Sequence, residues 1–116
     1  SAIIGKRNRD VIRENFGNLP PQVVMPLPDM DITAGEMSQF TMHEETFIDP
    51  DEGDALRYAA YLEENQPLPQ WARFDALNRK FSVKPPAGTE GSLAIKVVAR
   101  DFEGLEADTS FTLRYR

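Results

Sequence analysis

The sequence predicts an all-β domain made of two antiparallel sheets packed face to face. Three observations carry that reading. Apolar and polar residues alternate with period two in several separate segments. Turn-forming residues occupy the gaps between those segments. After residue 17, no apolar repeat of helical period matches them in quality. In the first strong segment, Leu56, Tyr58, Ala60 and Leu62 share one face, and Arg57, Ala59 and Tyr61 the other. In the second, Leu93, Ile95, Val97 and Ala99 oppose Ala94, Lys96, Val98 and Arg100. In the third, Thr109, Phe111, Leu113 and Tyr115 alternate with Ser110, Thr112 and Arg114. Phe40 and Met42 mark a weaker strand, and 81–83 a short one. Turns fall at 49–54, 65–69, 85–91 and 101–104. About seven short strands with one buried face each describe a sandwich. A parallel α/β architecture is excluded, because nothing resembles a crossover helix.

The N-terminal stretch differs from the rest. Lys6, Arg7, Arg9 and Arg13 place four of the thirteen bases in residues 1–17. Residues 10–17 read either as a short helix, with Asp10 as N-cap and Gly17 as its stop, or as a tail or the end of a preceding domain. The stretch from Asn18 through Pro20 and Pro21 reads as a linker, since consecutive prolines favour an extended path. Pro26 and Pro28 leave 22–27 as an edge strand at most. The division is therefore a tail over 1–17 and a β-sandwich over 18–116.

Composition narrows the function. With 116 residues, the chain suits one domain with a real core. The net charge of −6 repels phosphate backbones, so no nucleic-acid partner is expected. The apolar runs are too short to span a membrane. The first residues carry no charged start followed by an apolar stretch, so no signal peptide is read. Cysteine is absent, which removes disulfides, thiolate zinc sites and cysteine nucleophiles. With His43 as the one histidine, metal chemistry would have to use oxygen ligands.

The densest acid cluster is Asp49, Asp51, Glu52 and Asp54, around Pro50 and Gly53. Spacing alone leaves two readings. One is a loop offering oxygens to a hard cation such as calcium. The other is a polar turn whose aspartates cap backbone amides. It is not an EF-hand: the sixth position is Asp54 instead of glycine, and the twelfth is Ala60 instead of glutamate. Asp101, Phe102, Glu103 and Gly104 read as a hairpin turn with the glycine at positive φ. Trp71 is expected to be a core anchor, buried with Phe74, Phe40, Leu56, Tyr58, Ile95, Val97, Phe111 and Leu113. His43, Glu44 and Glu45 are the nearest approach to an acid–base group. Neighbours on a strand point to opposite faces, so the two glutamates cannot form a facing pair. A nucleophile elbow and a phosphate loop are both absent, and no enzymatic activity is expected.

Taken together, the motifs resemble a family. Asn18-x-Pro-Pro is followed by Ala34-Gly35 ahead of Phe40. Phe47-x-Asp-x-Asp-x-Gly-Asp then leads to Leu56-x-Tyr-x-Ala. Leu68-Pro-x-Trp-x-x-Phe-Asp precedes Arg79-Lys-Phe-Ser. Gly91 leads into Lys96-Val-Val-Ala-Arg-Asp, and Gly104-x-x-Ala-x-Thr-x-Phe-Thr-Leu closes the series. This pattern resembles the dystroglycan-type cadherin-like domain, a relative of cadherin and immunoglobulin-like repeats, over residues 18–116. The resemblance implies an antiparallel Greek-key β-sandwich of about seven strands. It also implies a module of a larger extracellular, cell-surface or secreted protein, acting in adhesion or spacing. In such modules calcium binds at the junction with the preceding domain, and the matching positions here are Asp49, Asp51, Asp101 and Asn18. Two departures stand out. Phe81-Ser-Val-Lys-Pro-Pro replaces the family's usual Phe-Ser-Gly-Thr-Pro, and the linker lacks the family's run of acids, which implies weak calcium affinity. Neighbouring domains of the same protein are the implied partners. Two other readings stay open: a carbohydrate-binding module with Tyr61 as its exposed aromatic, and an ectodomain or periplasmic sensor module with a basic tail that contacts a partner.

Overall fold

The long alternating stretches near the C-terminus become the two longest strands, β8 (Gly91–Arg100) and β9 (Glu106–Tyr115). They pair antiparallel over all ten positions, from Gly91↔Tyr115 to Arg100↔Glu106. The computed structural model describes residues 19–49 and 55–116. Before these two strands, the described chain forms β1 (Gln22–Val23), β2 (Met30–Ile32), β3 (Ser38–Thr41), β4 (Phe47–Ile48), β5 (Arg57–Leu62), β6 (Ala72–Asp75) and β7 (Lys80–Val83). One sheet has the order β2-β9-β8-β5, a second the order β3-β7-β6, and β1 and β4 form a two-stranded ribbon. Only a turn separates β3 from β4, and β1 and β2 are consecutive edge segments that pair with different sheets. Counted as interrupted single strands, these segments give the seven expected strands. Among the described residues, no helix is long and apolar enough to cross a membrane.

The core sits where period-two alternation turns apolar faces inward. Ile95, Val97 and Ala99 of β8, Phe111 and Leu113 of β9, and Phe81 and Val83 of β7 are buried. The layers lock through aromatic contacts. Phe81 meets Phe111 edge-on with centroids 5.6 Å apart, and Phe40 meets Phe111 at 6.0 Å. Within the smaller sheet, Phe81 is flanked by Phe40 at 5.0 Å and Phe74 at 4.5 Å. Phe81 is therefore the hub of the core.

The structure departs from the sequence expectations in three places. First, β2 runs parallel to β9, through Met30↔Leu113 and Ile32↔Tyr115. The Asp29 carboxylate also accepts a hydrogen bond from the Thr112 amide at 2.8 Å. At three residues, β2 is too short to show alternation, and only the tertiary fold lays it against β9. Second, β6 forms beside β7 over Ala72↔Val83 to Asp75↔Lys80, in a segment for which the sequence predicts no strand. Third, Trp71, Phe74, Phe40, Leu56 and Tyr58 pack against the core but are only half-buried. Trp71 lies at the margin, edge-on to Tyr115 at 5.1 Å, because the small sheet is too narrow to enclose it. The stretch over 10–17, read as a short helix or as a tail, lies outside the described residues.

Candidate functional site

Strand register gathers several chain segments at one end of the sandwich. Pairing of Arg57 with Arg100, and of Arg100 with Glu106, places the entry to β5, the exit from β8 and the entry to β9 together. Pairing of Gln22 with Ile48 lays the residues before β1 beside those after β4. The Phe47 and Tyr58 rings, 6.0 Å apart, tie the end of β4 to the start of β5. Asp49, which follows β4, and Asp101, which follows β8, therefore belong to the same end. Asn18 and Asp51 lie outside the described residues. Among the described residues, no three His, Cys, Asp or Glu side chains gather at metal-binding spacing.

Asp101 is almost wholly buried, at 3% exposure, and it organises the hairpin that follows. Its Oδ1 accepts hydrogen bonds from the amides of Glu103 and Leu105, both at 2.9 Å. Its backbone amide donates to the Leu105 carbonyl at 2.9 Å, and its carbonyl accepts from Gly104 at 3.1 Å. Gly104 takes φ 93°, the left-handed conformation expected of the glycine in this turn.

His43, Glu44 and Glu45 form a solvated turn between β3 and β4. The His43 Nδ1 accepts from the Glu45 amide at 3.0 Å, and its carbonyl accepts from Thr46 at 3.1 Å. Glu44 pairs with Arg79 at 3.7 Å. Burial pushes the Tyr58 phenol above its ordinary pKa; the Arg79 guanidinium opposes that rise, and Glu44 adds to it. Tyr58 is thus a packing residue with a charged fringe.

The opposite face of the larger sheet carries an open hollow of about 770 Å³. Register arranges its floor in rows: Arg57–Arg100–Glu106, then Ala59–Val98–Asp108, then Tyr61–Lys96. Phe102 and Glu103 of the β8–β9 turn also line it, as does Asn65, which follows β5. Phe102 is 79% exposed. Arg100 and Glu106 form an ion pair at 3.9 Å. Sequence alternation had placed Arg57 and Tyr61 on one face of β5, and Lys96 and Arg100 on one face of β8. It carried no register, so the rows and the contribution of Glu106 and Asp108 became visible only in the paired sheet.

A β-sandwich of two facing sheets with an A-type edge segment running parallel to the last strand defines an immunoglobulin-like domain. Residues 20–116 match the family model described as "Putative Ig domain", and the chain belongs to that family. Among solved structures, it is similar to an endo-fucoidan hydrolase of glycoside hydrolase family 107, with TM-score 0.65 and 20% identity, over 88% of this chain and 14% of that one. It is also similar to a nucleoside hydrolase-related protein from Saccharophagus degradans associated with carbohydrate metabolism, with TM-score 0.60 and 18% identity, over 85% of this chain and 26% of the other. A titin I-band fragment, I67–I69, matches with TM-score 0.51 and 16% identity, over 84% of this chain and 32% of the fragment. These likenesses show the immunoglobulin-like fold. This chain spans only a minor share of each of those longer chains. No curated protein matches the sequence.

Proposed function

We propose that the chain is a non-enzymatic, cadherin-like module of a larger surface or secreted protein, which spaces neighbouring domains or carries adhesion, with calcium stiffening its junction. The observation that carries this reading is the convergence, through strand register, of the chain entering β1, the Asp49 end of β4 and the Asp101 end of β8. That is the end at which a preceding domain would join. Asp49, Asp51 and Asp101 are the proposed carboxylate ligands, with Asn18 closing the site. Asp101 would offer a carboxylate oxygen to the ion while its Oδ1 holds the two turn amides. Ligand shortage favours weak affinity, toward the millimolar range of extracellular modules, about 1 mM. Calcium bound to the folded state alone would raise stability by about 2.7 kcal/mol at a hundred times its Kd.

The test is a calcium titration of the melting temperature, on this chain alone and on a longer segment that includes the preceding domain. Asp49→Asn combined with Asp101→Asn is the control. A rise in wild type that the double variant lacks supports the reading. Equal responses, or none in either segment up to about 10 mM, ten times the expected weak affinity, remove calcium and leave a plain spacer module.

A further inference from the structure

The hollow on the outer face of the β9-β8-β5 sheet has a construction that packing does not require. Its floor is made of small or short side chains, Ala59 and Val98, so a ligand can approach the sheet closely. An aromatic ring stands at each end. Tyr61 projects from the penultimate position of β5. Phe102 is carried on the β8–β9 turn at 79% exposure, although that turn is closed by Asp101 and Gly104 without help from its ring. The Phe102 ring is therefore free to meet a ligand face.

The charges discriminate among possible occupants. Arg57, Arg100 and Lys96 occupy the β5 and β8 side of the hollow, Glu106 and Asp108 the β9 side, and Asp101 and Glu103 the turn between β8 and β9. Arg57 and Arg100 are directly opposed in register, an unfavourable like-charge pair on an open sheet face. Arg100 has Glu106 at 3.9 Å, whereas among the described residues no carboxylate pairs with Arg57. An anionic ligand would meet the four carboxylates, and a cationic one the three bases. An uncharged ligand rich in hydroxyl groups meets donors along one side and acceptors along the other, and its hydroxyls satisfy both. Its apolar ring faces would lie on Tyr61 and Phe102. The volume, about 770 Å³, lies inside the range of small-ligand sites.

The rim carries a third observation. Glu64 and Asn65 both adopt left-handed backbone conformations, at φ 58° and 60°, directly after β5. Such a conformation costs a residue like Glu64 about 1–2 kcal/mol, whereas asparagine adopts it more readily. Here it brings Asn65, an amide with both donors and acceptors, to the lining of the hollow. Strain kept at the edge of a concave polar face is a common mark of a binding site.

We infer that the hollow bounded by Tyr61, Phe102 and the Arg57–Arg100–Glu106 row binds a neutral oligosaccharide. The charge balance selects against acidic glycans and charged peptides, and the two aromatic rings supply the stacking surfaces. This inference does not rest on the calcium reading, although Asp101, proposed above as a ligand, also lines the hollow.

The experiment is an amide NMR titration of the 116-residue chain with cellotetraose, mannotetraose and galactotetraose, and with tetragalacturonate as the acidic counterpart. At least one neutral tetrasaccharide should shift the amides of Tyr61, Val98 and Phe102, with a Kd near 1 mM, corresponding to about −4.1 kcal/mol. Tyr61→Ala and Phe102→Ala should each weaken that binding at least tenfold, about 1.4 kcal/mol. Leu77→Ala, at a distant exposed turn, should leave it unchanged. Phe102 is exposed at a hairpin tip, so its variant tests the site without threatening the fold. The inference is overturned if none of the three neutral sugars shifts these amides at about 10 mM, ten times the expected Kd. It also fails if both alanine variants bind as wild type does, or if tetragalacturonate binds more tightly than every neutral sugar. A silent hollow alongside an intact calcium response would sink this inference and spare the junction.

Discussion

Two hairpin turns in this domain are built on the same device and placed in different surroundings. In the β6–β7 turn, Asp75 accepts from the amides of Leu77 at 3.1 Å and Asn78 at 3.3 Å, and from the Asn78 side chain at 2.8 Å. In the β8–β9 turn, Asp101 accepts from Glu103 and Leu105. Asp75 is exposed, and Asp101 is buried. Water competes for every bond that Asp75 makes, whereas the Asp101 carboxylate is buried and water competes less for the bonds it accepts. The left-handed position differs too. The β8–β9 turn uses Gly104, and the β6–β7 turn uses Arg79 at φ 56°. Arg79 accepts that strain while tying its turn to the neighbouring segment. Its guanidinium donates to the Met42 carbonyl at 3.2 Å and pairs with Glu44, and its own carbonyl accepts from the Met42 amide at 2.7 Å. One turn is fixed from within, the other by what it touches.

The upper bound for any effect in either turn is set by the core that both hairpins serve. Phe81→Ala should destabilise the domain by about 3–5 kcal/mol, measured by urea denaturation. If a turn variant costs as much as this, the turns are not secondary to the core. Next in size, Asp101→Ala should cost about 2–3 kcal/mol, because two amides lose a buried acceptor. Asp101→Asn keeps an acceptor oxygen and should cost clearly less. Equal losses in the two variants would mean that charge, not turn hydrogen bonding, is what Asp101 supplies.

Arg79 offers a smaller and sharper contrast. Arg79→Ala and Arg79→Gly both lose the guanidinium contacts, but only glycine relaxes the left-handed backbone. Glycine should therefore be the more stable replacement by about 1 kcal/mol. An alanine variant as stable as the glycine variant would show that the backbone relaxes elsewhere. The smallest effect is one of pH. Hydrogen bonds from the Asn78 side chain, and then from the Asn78 amide, hold the Asp75 carboxyl below its ordinary 3.8. A depressed pKa contributes stability that is present above the unfolded value and lost as pH falls through the folded one. Asn78→Ala should therefore raise the Asp75 pKa toward 3.8, read by carboxyl carbon NMR, and flatten the loss of stability below that pH. An unmoved Asp75 pKa would assign the shift to the backbone amides alone.

Alternation in β5, β8 and β9 was legible because each is long enough to repeat a two-residue period several times against one buried face. The turn at Gly104 was legible because its chemistry is local; His43, Glu44 and Glu45, read as strand residues, instead form an exposed turn between β3 and β4. The strands β2, β4 and β6 were not. With two to four residues each, they owe their extended conformation to a partner strand brought from elsewhere in the chain. Trp71 illustrates the same limit in packing. Its residue type suggested a core anchor, but only the width of the small sheet decided that it would sit at the margin against Tyr115.

The candidate sites divide in the same way. Sequence supplied Asp49 and Asp101 as acids in turns, and Tyr61 as an aromatic on the outer side of its strand. Register decided the rest. It put the Asp49 and Asp101 segments at one end of the sandwich, and it aligned Arg57, Arg100 and Glu106 in a single row across three strands. What the sequence alone determined is the alternation that turns one face of each long strand toward the core, because burying that face is favourable in any pairing. Which residues stand beside one another on the face left in water was decided by the tertiary structure. Side-by-side placement there depends on strand order and register, and a shift of one residue would exchange every exposed side chain for a buried one.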